Sequence, residues 1–290
     1  MRVHIKRIKR VLLNKYKIQL NMNPIVITPC STPLLSFRYN IYSQNGEDGI
    51  IEELFHRLCI TGGHVVEFGA WDGHTWSNTF NFIAENPNWR AIYIEGDQQK
   101  FKNLLNVTQQ YTNIIPIEAM IDTEKTKLDN VLASISPPIP KDFMLLSIDV
   151  DSNDYQIWQT FTNYFPIIVV IEINSNFIPP KKKIHSANDV ETGSSFTSMV
   201  QLGLSKGYVP ICHTGNMFFI RKDYFHWVGV SLPKNINDLF LETYHCNTRN
   251  ISRNISRDIH HNRHITKHTK QHTKQHTKHI YINPHTPLSL

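Results

Sequence analysis

A doubly wound, mostly parallel α/β sheet closed by an antiparallel hairpin is the fold class this sequence predicts, on three observations. Five runs, at residues 64–68, 91–95, 114–117, 143–148 and 167–173, are rich in β-branched and aromatic residues and too uniformly apolar for strands with one wet face. Helix-length stretches separate them, at about 75–85, 98–108, 124–134 and 153–164, an alternation that requires crossovers and a sheet covered on both sides. Two later runs, 208–211 and 216–221, are parted by the turn-like His213-Thr214-Gly215, a spacing suited to a hairpin.

Taken in order, the chain opens on a basic segment. Ile5, Ile8, Leu12 and Tyr16 recur at spacings of three and four among Arg2, Lys6, Arg7, Lys9 and Arg10, the pattern of a basic amphipathic helix. Residues 1–40 read as a leader, amphipathic or disordered. Ser43-Gln44-Asn45-Gly46-Glu47-Asp48 then supplies cap-type residues, Ile50, Ile51, Leu54, Phe55 and Leu58 mark one helical face, and Gly62-Gly63 ends that helix. The α/β domain is expected over 41–245. Within it, residues 181–195 are long, polar and directly follow a strand, so they read as a mobile loop over the sheet's carboxyl edge. Residues 246–290 form a low-complexity tail in which Lys, His and Thr repeat with too few apolar residues to bury a core.

The overall charge of +6 suggests a nucleic-acid binder until its distribution is followed. Residues 1–20 carry seven Lys or Arg and no acid, and 251–290 carry seven against Asp258, which leaves residues 21–250 seven negative. An acidic body gives no support to phosphate-backbone binding, and only the tails are fit to meet an anionic surface. Cys30, Cys59, Cys212 and Cys246 lie far apart with no C-x-x-C pair, which argues against a zinc ribbon or a disulfide scaffold and for reduced thiols. No apolar run approaches the ~18 residues that span a bilayer. A soluble, cytoplasmic protein is expected, the basic leader being the one segment suited to membrane-surface or organelle targeting.

Four elements carry chemistry. Val65-Val66-Glu67-Phe68-Gly69-Ala70-Trp71-Asp72-Gly73 runs from a strand into a turn with two glycines, followed by a helix expected to start near Thr75. Such a turn lets the backbone approach a ligand, and a helix amino terminus offers N–H groups to an anion, here the carboxylate of an amino-acid-bearing nucleoside such as S-adenosylmethionine. Glu67 suits that ligand's ammonium group. Tyr93-Ile94-Glu95-Gly96-Asp97 ends the next strand with an acid placed for a ribose diol. Leu145-Leu146-Ser147-Ile148-Asp149-Val150-Asp151-Ser152-Asn153-Asp154 empties an apolar strand into a cluster of carboxylates, which repel and raise one another's pKa and are rarely assembled for stability alone. It is not an EF-hand, since Asp154 stands where that loop needs Gly and Thr160 where it needs Glu. Val170-Ile171-Glu172-Ile173-Asn174 places a further acid and amide at a strand end.

In this order the elements resemble the FkbM-type family of S-adenosylmethionine-dependent methyltransferases, a Rossmann-like class I branch, over about residues 43–221. Glu67-x-Gly69-Ala70-Trp71-x-Gly73 is similar to the family's D-x-G-A-N-x-G with Trp71 for Asn, and Ser147-Ile148-Asp149-Val150-Asp151-Ser152-Asn153-Asp154 to its K-I-D-V-E-G-x-E with Ser147 for Lys. Glu95-Gly96-Asp97 with Phe101 and Leu104 is similar to its acid-Pro and following helix, and Gly207-Tyr208 with Asn216–Phe219 to its closing strands. The resemblance implies methyl transfer to a hydroxyl, often of a sugar or glycan. The expected cofactor-binding set is Glu67, Gly69, Ala70, Gly73, Glu95, Asp97, Met120 and Ile121.

Asp149 and Asp151 are the expected catalytic residues, as general base or, with Glu172, as ligands of a divalent cation such as magnesium or manganese. Asn153 and Asn174 are the expected contacts to a small-molecule or glycan acceptor, and His213 is a lesser candidate. Three rivals stand beside this reading. A metal-dependent glycosyltransferase would use Asp149-Val150-Asp151 as D-x-D but leaves Glu67–Gly73 and Glu95 unexplained. An NAD-linked oxidoreductase expects G-x-G-x-x-G, which Gly69-Ala70-Trp71-Asp72-Gly73 lacks. The third is a degenerate cofactor domain kept as an interaction module.

Overall fold

The computed structural model describes residues 33–84 and 86–240. The expectations for the leader helix and the His/Lys/Thr tail lie outside the described residues. Seven strands form one sheet: β1 (Gly63–Phe68), β2 (Trp89–Glu95), β3 (Ile114–Glu118), β4 (Leu145–Ile148), β5 (Ile168–Glu172), β6 (Tyr208–His213) and β7 (Asn216–Arg221). Their spatial order is β3-β2-β1-β4-β5-β7-β6. The first five are parallel, and β7 runs antiparallel between β5 and β6. The sheet is therefore the Rossmann-like, doubly wound one predicted, with its closing hairpin folded back so that the last strand lies inside the edge.

Alternate strand residues serve two cores. Val66, Phe68, Ile92, Ile94, Leu146, Ile148, Val169 and Ile171 pack one face, under α4 (Leu128–Ala133), α5 (Asp154–Thr160) and α6 (Phe196–Ser205). Val65, Ala91, Tyr93, Leu145, Ile168 and Val170 pack the other, under α1 (Glu47–Arg57), α2 (Phe80–Ile83), α3 (Gln98–Thr108) and α7 (Phe225–Val228). Burial on both sides is why these strands read as continuous apolar runs. The packed region extends back to Leu34, which is buried in the second core.

The acids of the Ser43–Asp48 segment tie α1 to the rest. Asp48 Oδ2 accepts from the backbone N–H groups of Ile41, Tyr42 and Ser43, each at 2.8 Å. Glu47 Oε1 accepts from Thr214 Oγ1 at 3.0 Å and Asn216 Nδ2 at 3.2 Å, which fastens the helix to the β6–β7 hairpin.

Three helices are shorter than predicted, each for a local reason. The helix expected at 75–85 is reduced to α2, and residues 70–79 form turns. There Asp72 accepts from the N–H groups of His74 and Thr75, while Ser77 Oγ and Asn78 N donate to Glu67. Side chains that bond nearby donors compete with helix formation. Asp122 captures the N–H groups of Glu124, Lys125 and Thr126 and delays α4 to Leu128. Asp129 takes those of Thr162 and Asn163, and the chain leaves α5 at Phe161. The 181–195 segment is a loop, as expected, and is hydrogen-bonded within itself. Ser195 N donates to Lys183 O at 2.8 Å, His185 N to Ser194 Oγ at 3.0 Å, and Lys183 pairs with Asp189 at 2.5 Å. No helix among the described residues is long and apolar enough to cross a membrane.

Candidate functional site

Strand register sets the site. Phe68 pairs with Ile94 of β2 and with Ile148 of β4, and Ile148 pairs with Ile171 of β5. The next residue on each strand is therefore Gly69, Glu95, Asp149 or Glu172, and these four form a row along the carboxyl edge. Between β1 and β4 the strand order reverses, and open α/β sheets bind ligands in the crevice at such a switch point.

The turn after β1 is built around close approaches. Gly69 has φ +81°, and a Cβ there would fall 1.8 Å from the carbonyl oxygen of Asp149, so no side chain fits where the ends of β1 and β4 meet. Gly73, at φ +74°, would meet Leu104 and Tyr93. Ala70 is buried in the second core. Trp71 and Trp76 also have positive φ, of 48° and 62°, a conformation that non-glycine residues hold only at a cost. Their rings meet edge to face at 5.2 Å, and Trp76 is 53% exposed.

Glu67 and Glu95, both buried, are held differently. Glu67 Oε2 accepts from Ser77 Oγ at 2.7 Å and from Thr79 Oγ1, and its Oε1 accepts from Asn78 N at 3.0 Å. Burial raises its pKa, against the pull of those donors. Glu95 accepts one backbone N–H on each oxygen, from Trp71 at 2.9 Å and Asp97 at 2.8 Å, which leaves each oxygen a further lone pair. Asp97 caps α3 by accepting from Gln99 N and Lys100 N. Past β3, Met120 is 68% exposed and lies against Gly96, while Ile121 is buried.

Asp149, Asp151 and Glu172 come together: one oxygen from each lies within 4.8 Å of the others. Asp151 sits at φ +62°, and its N–H donates to Glu172 Oε2 at 3.1 Å. Burial, with the charge of Asp151, pushes Asp149 up to about 6, while a hydrogen bond from Glu172 and the charge of Lys100 act the other way. Burial and the neighbouring Asp149 raise Glu172 as well. Buried Asp154, raised to about 7 by burial and by Asp149, accepts from Val150 N and Ser152 N and closes the turn. Such a cluster holds a proton or a cation more readily than its full negative charge.

The outer predicted residues are placed less centrally. Asn153 is exposed at the start of α5 and makes no side-chain cap. Asn174 spends its amide on the chain, donating to Thr192 O at 2.7 Å and accepting from Asn176 N at 2.9 Å. His213 is buried, stacked on Phe240 at 4.9 Å, with Nε2 3.1 Å from Ser175 Oγ. Sequence reasoning missed Lys100, whose Nζ stands 5.6 Å from the centre of the Trp71 ring. Nothing in the spacing of α3 signals a contact made across two loops. A cavity of about 130 Å³ lies elsewhere, lined by Trp158, Phe161, Tyr164, Lys206 and Tyr208 among others, and no predicted site residue borders it.

No family model matches the chain, and no curated protein does. Among solved structures it is similar to the fibrillarin pre-rRNA processing protein of Methanococcus jannaschii, at 17% identity and a TM-score of 0.40, over 56% of this chain and 67% of that one. It is also similar to Aeropyrum pernix fibrillarin in complex with natively bound S-adenosyl-L-methionine, at 12% and 0.36, over 55% and 66%. A third is the CurJ carbon methyltransferase, at 10% and 0.40, over 60% and 52%. The FkbM-type resemblance drawn from the sequence is corrected here, because no family model matches the chain. What stands is the fold itself, a Rossmann-like, doubly wound and mostly parallel sheet with an antiparallel closing hairpin.

Proposed function

We propose that the carboxyl edge between β1 and β4 binds S-adenosylmethionine and that the chain transfers its methyl group to a hydroxyl oxygen. The observation that carries this reading is the row formed by Gly69, Glu95, Asp149 and Glu172 at the switch point. It sets a ribose-type acid at the end of β2 beside a catalytic-type acid cluster at the ends of β4 and β5. The donor set fits the cofactor: Glu95 is fixed by two backbone N–H groups and keeps lone pairs for a diol, Asp97 and Met120 border the same strand ends, and Trp76 on the adjoining turn is exposed. When bound, the cofactor supplies an electrophilic methyl group.

The chain's own part is to hold an acceptor oxygen in line with that methyl, a positioning problem worth several kcal/mol, and to take the hydroxyl proton. Asp149 is the base in this reading. Its raised pKa, about 6, brings it closer to the affinity needed to accept a proton near neutrality. Glu172 donates a hydrogen bond to it, and the charge of Asp151 raises its affinity for the proton. The acceptor class we propose is a neutral hydroxyl compound, sugars and glycans among them, because an acidic edge on an acidic body repels phosphorylated acceptors.

A second reading rests on the same three acids, whose oxygens are spaced to take one divalent cation, magnesium or manganese. In a methyltransferase that cation would lower the hydroxyl's pKa in place of a base. In a glycosyltransferase it would hold a sugar nucleotide. Calorimetric titration separates these: we expect saturable binding of S-adenosylhomocysteine without metal, and no binding of uridine-diphosphate sugars with manganese. The opposite pair of results overturns the methyltransferase reading. An interaction module without a cofactor predicts neither.

A further inference from the structure

The proposed cofactor carries a carboxylate at its amino-acid end, and the sequence suggested that a helix amino terminus near Thr75 would meet it. The structure removes that partner. α2 begins at Phe80 and has four residues. Most N–H groups of the turn leading to it are committed within the protein. Ala70 N donates to Ile94 O, Trp71 N to Glu95, Gly73 N to Ala70 O, and His74 N and Thr75 N to Asp72. Asn78 N donates to Glu67, and Thr79 N and Phe80 N to Ser77 Oγ. A carboxylate placed among Glu67, Glu95, Asp149 and Glu172 with no positive partner would be strongly disfavoured.

Lys100 supplies that partner. It stands in the first turn of α3, three residues after the Asp97 cap, and its Nζ lies 5.6 Å from the centre of the Trp71 ring, in the range of a cation–π contact. Trp71 is two residues beyond Gly69, which touches the backbone of Asp149. Lys100 thereby stands beside the turn that follows β1, and its charge favours the ionised form of Asp149. The strained φ of Trp71, fixed by its N–H bond to Glu95, aims the ring that holds it.

We infer that Lys100, positioned by Trp71, is the cation that receives the cofactor's amino-acid carboxylate. This rests on the cofactor reading above and adds to it a residue and a role. Trp71 then has a function of its own, since its ring faces the lysine.

The test compares S-adenosylhomocysteine with methylthioadenosine, which keeps the adenosine and lacks the amino-acid end. By calorimetry, Lys100→Gln is expected to weaken S-adenosylhomocysteine about tenfold, leave methylthioadenosine within twofold, and recover most of the loss as Lys100→Arg. Lys100 is solvent-exposed, and an unchanged melting temperature in each variant confirms that folding is intact. Equal effects on both ligands, or none on either, overturn the role of Lys100 while leaving the cofactor site standing. Failure of the unmutated chain to bind either ligand removes the cofactor site and this inference together.

Discussion

Two acidic groups lie on the same sheet edge and differ in what satisfies them. Glu67 is enclosed by donors of its own turn, the Ser77 and Thr79 hydroxyls and the Asn78 N–H. Asp149, Asp151 and Glu172 face chiefly one another, with an oxygen of each within 4.8 Å of the rest. A buried acid met by neutral donors is a structural joint, and here it welds the turn after β1 to the strand that precedes it. Carboxylates gathered chiefly against one another raise the energy of the folded chain, and that cost is tolerated where a proton, a cation or a substrate is handled. On the function proposed above, the first group is scaffold and the second carries the chemistry.

The sharpest way to break it is at Asp149. Asp149→Asn is expected to lower turnover roughly 10²- to 10⁴-fold, the range for a lost general base, while S-adenosylhomocysteine binding stays within a few-fold. Turnover unchanged in a labelled-methyl assay would make Asp149 as structural as Glu67. The reciprocal change, Glu67→Gln, tests the scaffold side. Losing a buried, multiply bonded acid costs about 1–3 kcal/mol, hence a fall in melting temperature of roughly 2–10 °C by calorimetry, with cofactor affinity little altered. A stable variant that no longer binds would return Glu67 to the ammonium-binding role its sequence position suggested.

The smallest effect is a matter of pH. Glu172 is raised above the ordinary carboxylate value of 4.5, so the folded state prefers its neutral form. That preference is fully present below about 4.5 and is lost as pH rises through the raised value. Glu172→Gln should therefore raise the melting temperature at pH 8 by about 2–4 °C and change it little at pH 4. An equal shift at both pH values would show packing, and no repulsion within the cluster, to be the cause.

How much of this was legible in the sequence differs along the same edge. The strands were, because burial on both faces writes continuous apolar runs, and so was the row of strand-end acids, because each run stops abruptly at Glu95, Asp149 or Glu172. The hairpin was legible from the turn-like Thr214-Gly215 that parts its strands. The turn at 70–79 was not. A helical reading of that stretch considers its own residues, whereas its conformation is decided by Glu67, one strand earlier, and by Asp72. The tethers of 181–195 are likewise contacts between its two ends, which polarity alone does not reveal. Lys100 was hidden for the same reason, since its partners Trp71 and Asp149 lie on two other loops.

The account stands or falls on the cofactor at the end of β2. Calorimetric titration of S-adenosylhomocysteine into the unmutated chain and into Glu95→Ala tests it most directly. The account predicts one-to-one binding and a raised melting temperature for the first, and affinity weakened roughly 10- to 100-fold for the second, the worth of a lost charged hydrogen-bond acceptor. No binding by the unmutated chain, or equal binding by both, would contradict it.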